Sequence, residues 1–351
     1  MQVWFYGHQM SFTDKITEYW YKPAEQVPFA LKLLSNAFAF ISQQRKKGYL
    51  NSPSKVYRAP VPLVVVGNIF VGGTGKTPLV IALVELLKQH GIKAGVISRG
   101  YGGQKLKKPE AVFAHSDPLV VGDEPVLIAT RAKCPVVVYP KRAEAIQTLL
   151  AHNDADVIIS DDGLQHYAMA RDIEIVVIDG ERRVGNGLLL PAGPLREPVS
   201  RLNNVDYCVV NGDAENRLEH SMHLTLSQAY ALNDDTQEIP LSTLQGKTVN
   251  AVAGIGNPAR FFDGLKTFNI NVLERSFPDH YAYKLGDLTF SDDFPILLTE
   301  KDAVKCRYLP LRDVWVVPVV ANLEQSFKSK FVNQVTLLVN RVTKLNTTIN
   351  Q

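Results

Sequence analysis

The chain has little cysteine, and the distribution of its cysteines limits where and how the protein works. Cys134, Cys208 and Cys306 stand singly, without the paired spacing of a zinc site or the density of a secreted disulfide scaffold. The sequence therefore favours a reducing, cytoplasmic location. Long apolar runs are also missing, since no stretch reaches the ~20 apolar residues that span a bilayer. The chain does not open on a basic segment followed by an apolar run and a cleavage site, so we expect no signal peptide.

An excess of one charge is missing too. The formal net charge is +3 at pH 7, which is too small to indicate a nucleic-acid partner, and we expect none. A composition of 46% hydrophobic and 21% charged residues is that of an ordinary globular protein without repeats or low-complexity tracts. The 351 residues leave room for two unequal lobes. No feature of the sequence indicates an obligate protein partner.

An amphipathic helix is predicted near the N-terminus, at Pro28–Ile41. Its apolar residues recur at helical spacing, namely Leu31, Leu34, Phe38 and Ile41, and the basic residues Arg45–Lys47 follow. One interpretation is a helix packed on the protein core. The other is a helix lying in a membrane surface, with Trp20 and Tyr21 near the lipid headgroups. The pattern alone does not separate the two.

From Pro62 onward, short β-branched runs alternate with helical stretches. Strands are predicted at Leu63–Val66, Ala94–Ile97, Val136–Tyr139, Val157–Ile159 and Ile173–Ile178, and helices at Pro78–His90 and Lys141–His152. This alternation predicts an α/β fold, with a mostly parallel sheet covered by helices on both faces. Strand candidates beyond the glycine- and proline-rich Gly185–Pro198 indicate a smaller C-terminal α/β lobe. We place the divisions at an N-terminal region 1–60, a core 61–200 and a second lobe 201–351.

A phosphate-binding loop is predicted where the first strand meets the first helix of this core. Val66–Pro78 reads VGNIFVGGTGKTP, and the strand, glycine-rich loop and helix in that order allow backbone N–H groups to converge on phosphate oxygens. Lys76 would reach the β- and γ-phosphates of ATP, and the Thr77 hydroxyl would bind Mg²⁺. The predicted nucleotide-binding residues are Phe70, Val71, Gly72, Gly73, Thr74, Gly75, Lys76 and Thr77. Phe70 stands where the common motif has glycine, so the loop is a variant.

Acidic pairs in two other strings suit the chemistry of a bound nucleotide. Asp161 and Asp162 follow an apolar strand in SDDGLQH, and adjacent carboxylates at a strand end indicate a nearby cation. A solvated Asp-Gly turn would be the better explanation if the phosphate-binding loop were absent. GDEP would mean little alone, but beside a nucleotide site one of Asp123 and Glu124 could accept the proton of a substrate hydroxyl while the other assists the metal.

Further polar residues in loops are weaker signals by themselves. His280 lies in FPDHYAY, where, for the isolated string, a structural role is a better explanation than a catalytic one. Arg99 in SRGYGG and Arg196 in PAGPLREP suit an anionic ligand, although each arginine could equally form a loop salt bridge.

Taken together, these strings resemble one family, the tetraacyldisaccharide 4′-kinases of lipid A biosynthesis in Gram-negative bacteria. The resemblance rests on GNIFVGGTGKTP, SRGYGG, GDEP, SDDGLQH, LLLPAGPLREP, AGIGNPARFF, FPDHY and TEKDAVK, in this order. It covers about residues 15 to 320. Each string is short, but their joint occurrence is highly specific.

The resemblance implies a P-loop kinase that transfers the γ-phosphoryl group of ATP to the 4′-hydroxyl of tetraacyldisaccharide 1-phosphate, giving lipid IVA. It implies Mg²⁺ as cofactor and a location at the cytoplasmic face of the inner membrane, with the N-terminal helix in the membrane surface. The roles implied are Asp123 as base, His280 as its assistant, Lys76 and Thr77 as phosphate and metal ligands, Asp161, Asp162 and Glu124 on the metal side, and Arg99, Tyr101 and Arg196 near the acceptor.

Two other functions are compatible with parts of the sequence. A membrane-associated nucleotide switch would share the loop, but Val71 occupies the position of the lysine that partition ATPases carry in KGGTGKT, and Thr299–Asp302 reads TEKD instead of the guanine-reading Asn-Lys-x-Asp. A soluble kinase for a small metabolite would use the predicted N-terminal helix only as part of its core.

Overall fold

The structure is a computed structural model that describes residues 16–349, with side chains through residue 344. Residues 1–15 of the predicted N-terminal region and residues 350–351 of the predicted second lobe lie outside the described residues. The helices, in chain order, are α1 Phe29–Leu50, α2 Lys76–Gln89, α3 Pro118–Val121, α4 Asp123–Ala132, α5 Arg142–His152, α6 Pro258–Lys266, α7 Glu300–Cys306 and α8 Gln325–Ile349.

The strands fall into two sheets. In chain order they are β1 Leu63–Gly67, β2 Ala94–Ser98, β3 Glu110–Val112, β4 Val136–Val138, β5 Val157–Ser160, β6 Ile173–Asp179, β7 Tyr207–Asn211, β8 Glu219–Thr225, β9 Gln228–Ala231, β10 Asp234–Pro240, β11 Thr248–Ala253, β12 Asn271–Ser276, β13 Ile296–Thr299, β14 Val314–Val317 and β15 Val320–Leu323. The first sheet has nine strands in the order β15-β8-β7-β6-β1-β5-β2-β4-β3, and the second has six in the order β10-β9-β14-β13-β11-β12.

The first sheet is built around β1, which pairs in parallel with β5 on one side and β6 on the other. All five residues of β1 are buried, as expected for a parallel strand covered on both faces. Val64 and Val66 pack into a cluster with α2, α4 and α8, whereas Leu63 and Val65 pack with α5 on the opposite face. The predicted α/β fold is confirmed, and the sheet positions the end of β1 at its centre.

The chain does not pass from the first sheet to the second near residue 200, where the sequence placed the division between the core and the second lobe. Strands β7, β8 and β15 all belong to the first sheet, and α8 packs on its core through Phe327 and Phe331. The chain enters the second sheet at Gln228 and leaves it after Val317. The first unit therefore includes segments on both sides of the second, because β15 pairs antiparallel with β8 far from it in the chain. The division of the protein into domains stays a prediction, with these as the boundaries to test.

Helix α1 extends the predicted amphipathic helix through its basic end to Leu50. It lies on the loops that follow β5 and β6: Ser35 Oγ donates to the carbonyl of Leu189 at 2.8 Å, and Lys46 Nζ lies 5.5 Å from the centre of the Tyr167 ring. Within residues 16–349, no helix is both long and apolar enough to cross a membrane.

Candidate active site

The backbone between β1 and α2 has the form of a phosphate-binding loop. Gly75 has φ 94°, a left-handed conformation that side chains rarely adopt. A Cβ atom at this position would lie 3.0 Å from Asn211 Nδ2 at the end of β7, and the same amide donates to the carbonyl of Thr74 at 3.3 Å. The loop is therefore fixed by Asn211 at the end of β7, directly before the N-terminus of α2. Backbone N–H groups at such a terminus favour an anionic ligand.

Phe70 and Val71 contact the PAGPLREP segment that follows β6. Phe70 is 4% exposed and packs with Ile69, Leu164 and Leu195. The N–H of Val71 donates to the carbonyl of Pro194 at 2.9 Å. The prediction that these two residues bind nucleotide therefore receives no support from their contacts. The side chain that departs from the common motif is buried because the PAGPLREP segment covers it.

Lys76 is held at the start of α2 by two side chains. Its Nζ lies 3.5 Å from Asp162 Oδ1. Asn68 is fully buried below the loop, and in the amide orientation that gives both its polar atoms a partner, Oδ1 accepts from Lys76 Nζ and from the Thr74 hydroxyl, both at 3.2 Å. Sequence reasoning missed Asn68, although its position directly after β1 is a signal that could have found it. The ammonium group is therefore oriented before any phosphate arrives.

Asp161 and Asp162 follow β5, next to β1. Asp161 is buried and accepts one hydrogen bond, from Ser98 Oγ at 3.4 Å. Burial, with repulsion from Glu124 and Asp162, raises the pKa of Asp161 to about 7. For Asp162, burial would raise the pKa, but the positive charges of Lys76 and Arg196 lower it. Because the charge of Glu124 raises the pKa of Asp161, the GDEP segment lies close to the acidic pair beside the phosphate-binding loop.

Asp161, Asp162 and Thr77 suit the binding of a Mg²⁺ ion that has further ligands. Oδ1 of Asp161 is buried without a hydrogen-bond partner, Oδ1 of Asp162 lies 3.5 Å from Lys76 Nζ, and Thr77 is the second residue of α2. Mg²⁺ prefers oxygen ligands and usually binds one or two carboxylates together with water and substrate phosphates. In the described part of the chain, no group of three histidine, cysteine or acidic side chains is close enough to hold a metal alone. The donor set therefore fits a metal shared with nucleotide phosphates.

Asp123 and His280, which are far apart in the sequence, form a hydrogen-bonded pair. His280 Nδ1 lies 2.9 Å from Asp123 Oδ2 and 3.0 Å from Oδ1, and Asp123 Oδ1 also accepts from the N–H of Glu124 at 2.8 Å. Burial would raise the pKa of Asp123, but the hydrogen bond from His280 and the charges of Lys301 and Lys305 lower it. The hydrogen bond to Asp123 raises the pKa of His280. Asp123 is therefore an ionised carboxylate with a fixed orientation.

The SRGYGG loop closes over this pair. The Tyr101 ring lies edge-on to His280, with 5.2 Å between the ring centres. A Cβ atom at Gly102 would lie 2.9 Å from His280 Nδ1, so this close approach requires glycine. Arg99 is exposed at the end of β2 in the same loop. Tyr101 is 67% exposed, so it lies on the solvent-facing side of His280.

Arg196 lies beside the phosphate-binding loop. Its guanidinium is 3.5 Å from Asp162 Oδ2, and its backbone N–H donates to the carbonyl of Ile69 at 2.7 Å. The predicted site residues thus form two groups. One contains Lys76, Asp162 and Arg196, the other contains Asp123, His280 and Tyr101, and Asp161 and Glu124 connect them electrostatically.

Sequence reasoning also missed Arg182 and Lys301. Arg182, after β6, bonds to Asp179 at 2.9 Å and donates to the carbonyl of Gly73 in the loop. Lys301 lies 2.9 Å from Glu124 Oε1 and comes from helix α7 of the second sheet. Burial would lower the pKa of Lys301, but the surrounding carboxylates raise it. The TEKDAVK string was a signal for Lys301, whereas nothing in the local sequence marks Arg182.

Comparison with known proteins agrees with this geometry. A family model described as tetraacyldisaccharide-1-P 4′-kinase matches residues 27–336. A tetraacyldisaccharide 4′-kinase from Nitrosococcus oceani is 46% identical over 316 residues, which is 90% of this chain and 93% of that protein. One from Hahella chejuensis is 51% identical over 267 residues, 76% of this chain and 79% of that protein. The crystal structure of LpxK from Aquifex aeolicus in complex with ATP has a TM-score of 0.74 and 30% identity, and the likeness covers 87% of this chain and 97% of that one.

Proposed function

The chain belongs to the tetraacyldisaccharide-1-P 4′-kinase family, and from that premise we propose which of its residues perform the reaction and how it meets its lipid substrate. The protein uses ATP to phosphorylate the 4′-hydroxyl of tetraacyldisaccharide 1-phosphate, a step of lipid A biosynthesis that gives lipid IVA. The proposed roles are Asp123 as the base for that hydroxyl, His280 as the residue that orients Asp123, and the loop Gly72–Thr77 as the site of the triphosphate.

The observation that carries this proposal is the hydrogen bond of 2.9 Å between Asp123 and His280. A base must be ionised and within hydrogen-bond reach of the proton it accepts. Asp123 meets the first condition because His280, Lys301 and Lys305 stabilise its charge. The exposed Tyr101 beside the pair marks the side from which a sugar hydroxyl would approach.

In the proposed reaction, the hydroxyl oxygen attacks the γ-phosphorus, and the bond between that phosphorus and the leaving oxygen of ADP breaks. The hydroxyl proton passes to the carboxylate of Asp123. Lys76 stabilises the negative charge that spreads over the transferring group. Asp162 and Asn68 hold Lys76 in position, within 3.5 Å and 3.2 Å, so little reorganisation is needed when the phosphate arrives.

Thr77, Glu124, Asp161 and Asp162 are the residues that would hold Mg²⁺. When bound, the ion neutralises phosphate charge. Arg196 keeps the Asp162 side chain turned towards the loop. Arg99 and Tyr101 are proposed to contact the acceptor, because Tyr101 is exposed next to His280 and Arg99 is exposed in the same loop.

His280→Ala tests the role of the pair. Turnover is expected to fall by about 10–10²-fold, because Asp123 would remain but lose its orientation, while the KM for ATP stays near the original value. The measurement is steady-state transfer of label from γ-labelled ATP to the distal sugar of tetraacyldisaccharide 1-phosphate. His152→Ala is the control, since His152 is an exposed histidine at the end of α5. Equal turnover in the two variants would remove His280 from this role.

Peripheral attachment to the cytoplasmic face of the inner membrane is the second part of the proposal, and it rests on α1. The face of α1 that contains Leu31, Ser35 and Phe38 is buried or half-buried against the protein. Other large apolar side chains of the helix are solvent-exposed, namely Phe29, Leu33, Leu34, Phe40, Ile41 and Leu50. The helix thus packs with one face and leaves a second apolar face open.

A bilayer is the proposed occupant of that open face. The acceptor carries four acyl chains that stay in the membrane, so the site must work at its surface. Arg45 and Lys47 are exposed near the end of α1, where they can meet anionic headgroups. A helix with an apolar face and basic residues at its border lies in the interface plane.

Phe40→Asp combined with Ile41→Asp is expected to weaken binding to vesicles containing anionic lipid by about 10²-fold or more, because each buried apolar side chain contributes about 1.5–3 kcal/mol. The measurement is flotation of the full chain with vesicles, together with a thermal unfolding midpoint. Leu218→Asp is the control, since Leu218 is 74% exposed outside α1. Flotation of the double variant at the level of the control would contradict the membrane role of α1.

A further inference from the structure

Helix α7 follows strand β13 of the second sheet, and two of its lysines approach Asp123 and Glu124 at the start of α4. The helix starts at Glu300, and the Thr299 side chain caps it by accepting from the N–H of Asp302. Lys301 and Lys305 are four residues apart, so they share one face of the helix. Lys301 approaches Glu124 and Lys305 approaches Asp123.

Lys301 connects the neighbours of both members of the Asp123–His280 pair. Its Nζ donates to Glu124 Oε1 at 2.9 Å and to Asp279 Oδ1 at 3.1 Å. Glu124 follows Asp123, and Asp279 precedes His280. One ammonium group, only 16% exposed, therefore joins the segment that carries the proposed base to the segment that carries its histidine.

Hydrogen bonds and an ion pair to Asp302 hold the first turn of α7 in place. Asp302 is fully buried, and its carboxylate accepts from the N–H of Gly254 at 2.9 Å, from the Tyr283 hydroxyl at 3.1 Å and from the Thr299 hydroxyl at 2.6 Å. Lys305 Nζ lies 2.8 Å from the same carboxylate and 3.9 Å from Asp123 Oδ2. The helix thus presents Lys301 from a fixed position.

We propose that Lys301 is a positioning residue for phosphoryl transfer: it holds Asp123 against His280 across the two sheets, with Lys305 in support. This inference rests on the proposed role of Asp123. Asp123, Glu124 and Asp279 are three carboxylates near one point, and like charges there repel unless a cation lies among them. Without Lys301, Glu124 and Asp279 have no common partner, so the segments that carry Asp123 and His280 separate.

Lys301→Met tests this inference, because it removes the charge and keeps most of the side-chain volume. The expected result is a fall in kcat of about 10²-fold, the cost of a misplaced catalytic group, while the KM for ATP changes by less than about threefold because Lys301 makes no contact with Gly72–Thr77. Lys301→Arg keeps the cation and is expected to recover most of the loss. Lys266→Met is the matched control, since Lys266 also joins two carboxylates, Asp263 at 3.1 Å and Glu274 at 2.7 Å, on the surface of the second sheet.

A double-mutant cycle distinguishes positioning of the pair from simple stabilisation. In a His280→Ala background, Lys301→Met should lower kcat by less than about threefold, because the pair it holds no longer exists. An equal loss in both backgrounds would overturn the inference, as would a kcat of Lys301→Met matching that of Lys266→Met. Asp123→Ala in the same assay keeps the two proposals apart. If Asp123→Ala has normal turnover, the assignment of the base is overturned. If Asp123→Ala loses turnover while Lys301→Met keeps normal turnover, only the role of Lys301 is overturned.

Discussion

Asp123→Ala is expected to lower kcat by about 10³-fold or more, which is the contribution of a well-placed general base, while the KM for ATP remains near the original value. In the proposed mechanism the base acts on the acceptor hydroxyl in the transition state, so its loss should lower kcat without weakening ATP binding. His280 and Lys301 remain in this variant and keep the cleft assembled.

The measurement for Asp123 is steady-state kinetics with ATP and the lipid acceptor varied in turn. Asp123→Asn should be almost as impaired, because an amide keeps the shape but cannot accept the proton. Asp117→Ala is the control: Asp117 is an acidic residue nearby in the chain whose side chain caps α3 by accepting from the N–H of Leu119 at 2.9 Å. Near-normal turnover in Asp123→Ala would remove Asp123 from its assigned role.

Lys76→Ala is expected to lower kcat/KM by about 10²–10³-fold, the usual cost of losing one preorganised charge that stabilises a transition state. Unlike Asp123→Ala, it should affect both constants, because Lys76 would contact the phosphates of bound ATP as well as the transferring group. The variant also leaves Asp162 with Arg196 as its remaining ion-pair partner. A thermal unfolding midpoint is therefore measured beside the kinetics.

Lys88→Ala is the matched control for Lys76, since Lys88 is an exposed lysine on the same helix. Lys76→Arg adds a second comparison: a guanidinium keeps the charge but does not fit the place of a compact ammonium between Asn68 and Asp162, so it should remain impaired. A rate for Lys76→Ala equal to that of Lys88→Ala would contradict the assignment of the loop to phosphate.

The phosphate-binding loop could be predicted from a short stretch of sequence, because residues that are neighbours in the chain determine its structure. A run of β-branched residues forms β1, glycines permit the turn, and α2 follows at Lys76. What the string did not reveal is the function of Phe70. A phenylalanine in place of glycine marked the loop as a variant, but the segment that covers this side chain comes from around Leu195, far along the chain.

The N-terminal helix shows the limit of periodicity. Apolar residues at helical spacing predicted α1, but they could not say which face the protein covers. The structure shows that Ser35 lies at the centre of the packed face, while Phe40 and Ile41 on another face stay exposed. The spacing of apolar residues shows how they repeat along one helix. It does not show which surface packs against each face of that helix.

The sequence alone determined the fold class, the phosphate-binding loop and the family, because these depend on neighbours along the chain and on strings with a fixed order. Tertiary structure decided that Asp123 meets His280 157 residues away, that Lys301 reaches Glu124 over 177 residues, and that the first sheet continues past residue 200 and takes up β15. Such contacts form only when elements far apart in the chain pack together, and the free energy of that packing is spread over many residues that no short string contains.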